Sequence, residues 1–290
     1  MRLFAALAVL AAAPAVTCAN PTSTPEPSAP APVAAPAPVE PVTAEPAAAP
    51  VAEFDHSHKV FDEILRATVK RDRLDYKKVD RKKLDAYIGQ LRGVTKAQLE
   101  SWSREQRYAF WINVYNAHVI EIVLDNYPLE SIKDIGGKVF GQVWDKEFIK
   151  MNALHPKGDK DRLSLNDVEH EILRPRFKDA RVHAAVNCAS FSCPPLLAEA
   201  FVATKLEAQL DAQMKAFLVD TDRNRFDEKK GVVHASEIFK WFSEDFDRDA
   251  GSVREYMIEF APADKKAFLK DAKIKYIDYD WSLNDVVAGS

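Results

Sequence analysis

The stretch RVHAAVNCASFSCPPL, Arg181 to Leu196, decides how this chain is read. It holds one of the seven histidines, two of the three cysteines and a Pro-Pro stop. Alternation predicts a strand from Arg181 to Cys188, with Val182, Ala184, Val186 and Cys188 on one face and His183, Ala185 and Asn187 on the other. A short polar loop, Ala189 to Ser192, then leads to Cys193-Pro194. A strand that runs into such a loop can hold a reactive side chain at a sheet edge.

Upstream, a short strand near Arg162 to Leu165 precedes NDVEHEIL, a predicted helix capped by Asn166 and ended by Arg174-Pro175. Its spacing puts Asn166, Glu169, His170 and Leu173 on one face. Further back, Ser103 caps REQRYAFWINVYNAHVIEIVLDN, Arg104 to Asn126, the longest predicted helix, which stops before Pro128. It is apolar almost all round and is expected to be the buried central helix. Asn113 and Asn116 are neighbours on it, and buried amides need partners, either loop backbone or a site. His118 is given no role. Thr95 and Gln98 form a capping box, and His56 to Arg71 and Asp80 to Leu91 carry helical apolar faces.

Downstream the pattern gives a helix over Ala198 to Leu218, a short strand at Val232-Val233 and a Ser236-capped helix EIFKWF. Helices follow near Val253 to Phe260 and Asp264 to Asp271, then a strand over Lys275 to Trp281. SLNDV occurs at Ser164 to Val168 and again at Ser282 to Val286, read as two copies of one strand-exit and helix-cap solution. The fold class is α+β: a mostly helical single domain, residues 53–290, with a small sheet carrying the Arg181 to Cys188 strand.

Residues 1–18 have the layout of a signal peptide, one early arginine and then the apolar run LFAALAVLAAAPAV. They end in AVTC, which resembles a lipobox with Ala15 where Leu is usual and Thr17 where Gly, Ala or Ser is usual. Lipidation of Cys18 is expected, with ordinary cleavage after Ala19 as the alternative. Residues 19–52 hold ten of the 17 prolines and no glycine, a composition that predicts a disordered Pro/Ala tether. The protein is therefore expected to be exported, lipid-anchored in the periplasm or at the outer membrane, or else secreted. The net charge of −4 with interspersed signs gives no basic footprint for nucleic acid. No segment of the domain is long and apolar enough to span a membrane, so membrane association would come only through Cys18.

YAFWINVYNAHVIEIVL, LSLNDVEHEILRPRF, RVHAAVNCASFSCPPL, EIFKWFSEDF and IDYDWSLND together resemble the domain-of-unknown-function 547 family of bacteria and plants, in order from about Trp102 to Asp285. The resemblance implies recurring positions, not a reaction. These are Asn113 and Asn116, Glu169 and His170, His183, Cys188 and Cys193-Pro194. Plant members keep the cysteine at Cys188 and often have serine at Cys193, which argues against an obligatory disulfide. His118 departs from the small or aliphatic residue usual there.

Two readings of the chemistry follow. In the first the domain is a cysteine-dependent hydrolase or transferase. Cys188 is the nucleophile, His170 its base, and Glu169 or Asn113 orients the histidine. Amides of the Ala189 to Ser192 loop or the Asn116 side chain stabilise an oxyanion, and His183, Ser190 and Cys193 border the substrate. In the second it is a non-catalytic envelope domain that binds a peptide, glycan or protein partner, with a structural Cys188–Cys193 disulfide. Two thiols and two imidazoles suit zinc, but the C-x4-C spacing is long and His183 faces away from Cys188 on a regular strand. No metal and no cofactor are expected, and no particular substrate or partner is identified.

Overall fold

The computed structural model describes residues 53–286 apart from 137–141, 152–153, 155–157 and 159. The signal, the tether and Cys18 lie outside the described residues. Ala52–Ser290 is one compact unit.

The order of elements is α1 (Lys59–Thr68), β1 (Val69–Lys70), β2 (Arg73–Leu74), α2 (Arg81–Arg92), α3 (Lys96–Ser101) and α4 (Arg104–Asn126). Then come α5 (Gln142–Asp145), β3 (Ile149–Lys150), β4 (Arg162–Leu163) and a π-helical segment, Asp167–Leu173, that runs into α6 (Arg174–Phe177). The second half holds α7 (Val182–Ala185), α8 (Leu206–Val219), β5 (Arg225–Asp227) and β6 (Val232–Ser236). It closes with α9 (Ile238–Trp241), α10 (Ser243–Ala250), α11 (Val253–Phe260), α12 (Ala263–Asp271) and β7 (Lys273–Ile277). Two small antiparallel ladders, β1–β2 and β3–β4, accompany a three-stranded sheet in which β6 pairs antiparallel with β5 and parallel with β7. The α+β class stands.

Helix α4 is the axis. Ser103 and Gln106 form the capping box at its start, and every residue from Tyr108 to Val123 is buried. The first apolar cluster surrounds it and takes in α1, α2 and the π-helical segment. A second cluster joins α8, β6 and α9 to α12. Among the described residues no helix is long and apolar enough to cross a membrane.

The expected central strand is absent. Val182–Ala185 is a single helical turn, and the residues after it run extended without a ladder partner. A short apolar run does not by itself separate strand from buried helix, and here tertiary contacts decide. The Asn116 amide donates to the Ala185 carbonyl (2.9 Å), and its oxygen accepts from the Asn187 amide (2.9 Å). The helix read from Ala198 likewise begins only at Leu206, after a 3-10 turn at Ala203–Lys205, because Asn113 and Gln209 hold the backbone of Ala200 to Val202. Asn113 Nδ2 donates to the Phe201 carbonyl (2.7 Å) and Oδ1 accepts from the Phe201 amide (3.1 Å). Gln209 spans the Ala200 carbonyl and the Val202 amide. Arg174-Pro175 does not end its helix, since Pro175 sits in the first turn of α6 where no N–H is needed.

The two SLNDV copies differ in use. In the first, Ser164 and Asp167 cap the π-helical segment, while Asn166 makes no capping bond. In the second, the chain runs extended past Leu74 and the cysteine loop. There Asn284 accepts from the Tyr76 hydroxyl and donates to Asn187, and Asp285 accepts from the Tyr127 hydroxyl.

Asn113→Ala takes the side-chain partner from both the N–H and the C=O of Phe201. It should cost about 2–6 kcal/mol of stability, at about 1–3 kcal/mol for each of the two orphaned groups, read as a lowered urea midpoint. Histidines His58 and His118 are buried and held neutral, each pushed down to about 4 by burial. The unfolded chain therefore takes up protons first, and stability falls as pH drops from about 6.5 toward 4. Each should cost about 2 kcal/mol between pH 7 and pH 5, and urea unfolding of His118→Leu should show a correspondingly shallower pH slope.

Candidate functional site

A cavity of about 200 Å³ opens beside the Cys188 loop. The π-helical segment supplies Glu169 and His170 to its lining, α7 supplies His183, and the loop supplies Cys188, Cys193 and Pro194. Most of the remaining wall is aromatic: Tyr115 from α4, Trp144 from α5, Trp241 and Phe242 at the end of α9, and Tyr279 and Trp281 after β7. Trp241, Tyr279 and Trp281 pack on one another with ring centroids 4.5 to 5.9 Å apart. Trp144 meets Trp281 edge-on, and Trp241 keeps 46% of its surface exposed.

The π-helical geometry sets the direction of Glu169 and His170. The Arg174 amide reaches back five residues to the Glu169 carbonyl, a widened turn of the kind often found at functional sites. Glu169 is buried, and its charge lies beside the Tyr115 phenol. Burial, with the Glu169 charge beside it, holds the Tyr115 phenol well above its usual range. His170 is exposed, and its Nδ1 accepts from Arg174 at 2.9 Å.

His183 is the buried histidine of the pair. Its Nε2 lies 2.8 Å from Asp245 Oδ2 and its ring stacks on Phe242 with centroids 3.9 Å apart. Burial drives its pKa below the usual imidazole range, against the upward pull of Asp245. The neutral ring therefore donates from Nε2 to Asp245 and carries its lone pair on Nδ1. That nitrogen is buried with no hydrogen-bond partner among the described residues, 3.9 Å from Glu169 Oε1. Asp245 on α10 is a hub that also accepts from Arg174 (2.6 Å) and Arg248 (2.6 Å). Burial raises its pKa, but the bonds from His183 and Arg174 outweigh this and hold the carboxyl below its usual range.

Cys188 and Cys193 lie side by side. Their sulfurs are in contact and their Cα atoms are 6.3 Å apart, within the span a disulfide bridges. The Cys188 amide points at the Cys193 sulfur, and the Ser190 and Tyr279 hydroxyls surround the pair. The loop between them is pinned. Ala189 adopts φ +60, which costs a non-glycine residue about 1–2 kcal/mol. It is held there by bonds to the Asn187 side chain and the Asn284 amide. Arg223, 1% exposed, donates to the carbonyls of Phe191 and Cys193 and pairs with Asp72 and Asp220.

The geometry does not support the cysteine-nucleophile reading: the Cys188 sulfur lies against that of Cys193, and the Ala189, Phe191 and Ser192 amides donate to the Asn187 side chain and to the Ser282 and Asp280 carbonyls. Asn113 orients Phe201 backbone, not a catalytic histidine, and both polar ends of Asn116 are taken by the backbone around Val186. Ser190 is buried behind the sulfurs. Because Val182–Ala185 is helical, His183 and Cys188 reach the same cavity instead of opposite faces. Among the described residues no group of three or more His, Cys, Asp or Glu could hold a metal ion.

Asp245, Arg174 and Arg223 escaped the sequence reading, as did the role of the aromatic wall. The EIFKWFSEDF and IDYDW blocks already held Asp245, Trp241, Phe242, Tyr279 and Trp281. Their shared signal was an unusual density of aromatic residues in two segments distant along the chain.

Residues 99–218 match the family model described as "Protein of unknown function, DUF547". No curated protein and no solved structure matches the chain. The matched span takes in α4, the π-helical segment and the cysteine loop, but not Asp245 or the Tyr279 to Trp281 wall.

Asp245→Ala should cost about 3 kcal/mol, because it leaves His183 and two guanidinium groups without their shared acceptor. Chemical denaturation beside the unaltered protein measures it.

Proposed function

We propose that residues 53–286 are a ligand-binding domain of the cell envelope, with the Cys188–Cys193 cross-link serving as structure. The observation that carries this reading is the adjacent sulfur pair forming one wall of an aromatic cavity. A thiol held in a disulfide is no nucleophile, whereas a rigid loop beside six aromatic rings is suited to holding a ligand. A peptide, a glycan or a segment of an envelope protein are the ligand classes this reading admits. Paired cysteines also suit an oxidising compartment. In this reading residues 1–18 direct export, Cys18 carries the lipid and residues 19–52 hold the domain away from the membrane, at about 3 Å per residue in extended form.

Intact-mass analysis of the full chain, alkylated without reductant, should show no adduct on Cys188 or Cys193, and adducts on both after reduction. Adducts before reduction would overturn the cross-link and restore Cys188 as a nucleophile. The same spectrum should carry a diacylglyceryl mass on Cys18, and an unmodified terminus beyond that residue removes the anchor.

A further inference from the structure

Glu169 and His183 both line the cavity, with Glu169 Oε1 and His183 Nδ1 3.9 Å apart. Both are acceptors once the imidazole spends its proton on Asp245, and among the described residues no group donates to the His183 nitrogen. Glu169 is only 7% exposed, and among the described residues the one ion-pairing side chain within 4 Å of it is that neutral ring. The Tyr115 phenol beside it brings no countercharge. The nearby guanidinium groups of Arg174 and Arg248 are spent on Asp245. A buried carboxylate is ordinarily matched by a cation. A carboxylate below aromatic faces is also the arrangement that recognises cationic nitrogen, since ring faces attract positive charge.

We propose that the cleft takes a ligand bearing a protonated amine, its ammonium donating to the Glu169 carboxylate and His183 Nδ1 while Tyr115, Trp144 and Phe242 enclose the carbon next to it. The assignment rests on the ligand-binding reading above and names the chemistry of that ligand. A hydroxyl group would satisfy the two acceptors yet leave the carboxylate charge unmatched, so a neutral sugar is the poorer occupant. A cavity of about 200 Å³ is smaller than the roughly 300–1,000 Å³ of sites that engulf whole drug-sized ligands. It therefore holds the amine-bearing end, with the remainder lying along Trp241 and Trp281 at the rim.

The test titrates the full chain with butylammonium chloride at constant ionic strength and follows tryptophan fluorescence, with 1-butanol as the neutral isostere. Butylammonium should give a saturable change with an apparent Kd at least tenfold below that of butanol. Glu169→Gln, with an unaltered circular dichroism spectrum, should abolish that preference. If Glu169→Gln does not fold, the comparison of the two probes in the unaltered protein decides alone. Equal binding of both probes, or a preference that survives in Glu169→Gln, overturns the amine assignment and leaves the ligand cleft standing. No saturable response to either probe overturns both.

Discussion

Between Ala184 and Val202 the backbone passes through the interior without a ladder, and the rest of the structure depends on how its peptide groups are satisfied. Buried N–H and C=O groups must find partners; the backbone of Asp280, Ser282 and Asn284 takes those of Ala189, Phe191 and Ser192, and side chains provide many of the others. Asn113 takes Phe201, Asn116 takes Ala185 and Asn187, and Gln209 takes Ala200 and Val202. Gln213 takes Pro195, Asn187 takes Pro194 and Ala189, and Arg223 takes Phe191 and Cys193. Helices α4 and α8 thus act as racks of amides that fix an irregular segment, and the cysteine loop inherits its shape from them.

This arrangement explains what could and could not be read from the sequence. Helix α4 was legible to the residue because its signals are local: a Ser103–Gln106 box, a continuous apolar body and a proline beyond its end. The Thr95–Gln98 box and helix Val253–Phe260 were legible for the same reason. The two asparagines declared themselves as buried amides in need of partners, though not which backbone they held. By contrast, RVHAAVNC and the run after Pro195 have no local signal that separates strand, helix and irregular chain. Their conformation is imposed by amides that lie up to 88 positions away in sequence. Asp245 and Arg223 were opaque in the same way: a charged residue in a polar helix or turn looks solvated until its partners are placed.

Within the site the polar work is divided. Asp245, charged and well satisfied, fixes the ring of His183 and its tautomer. Glu169 reaches the cavity from a widened helical turn and, among the described residues, has no cation beside it. The sulfur pair, with Ser190 and Tyr279 around it, serves as wall. Cys188, His170 and His183 do reach one cavity, as the cysteine reading required, but the unsatisfied polar atom there is an imidazole nitrogen and not a thiol.

The second SLNDV segment gives the domain an ordering in time. Residues 279–286 supply the hydroxyl beside the sulfur pair, the bridges to Ser131, Ser190 and Leu74, and the Asn284 bonds to Asn187 and Ala189. These contacts span most of the domain's length, the kind of pairing that forms late in folding. During synthesis α4 and its amide rack can assemble early, but the cleft has no second side until Trp281 has left the ribosome. Until then the nascent domain lacks the aromatic wall that Tyr279 and Trp281 give the cavity.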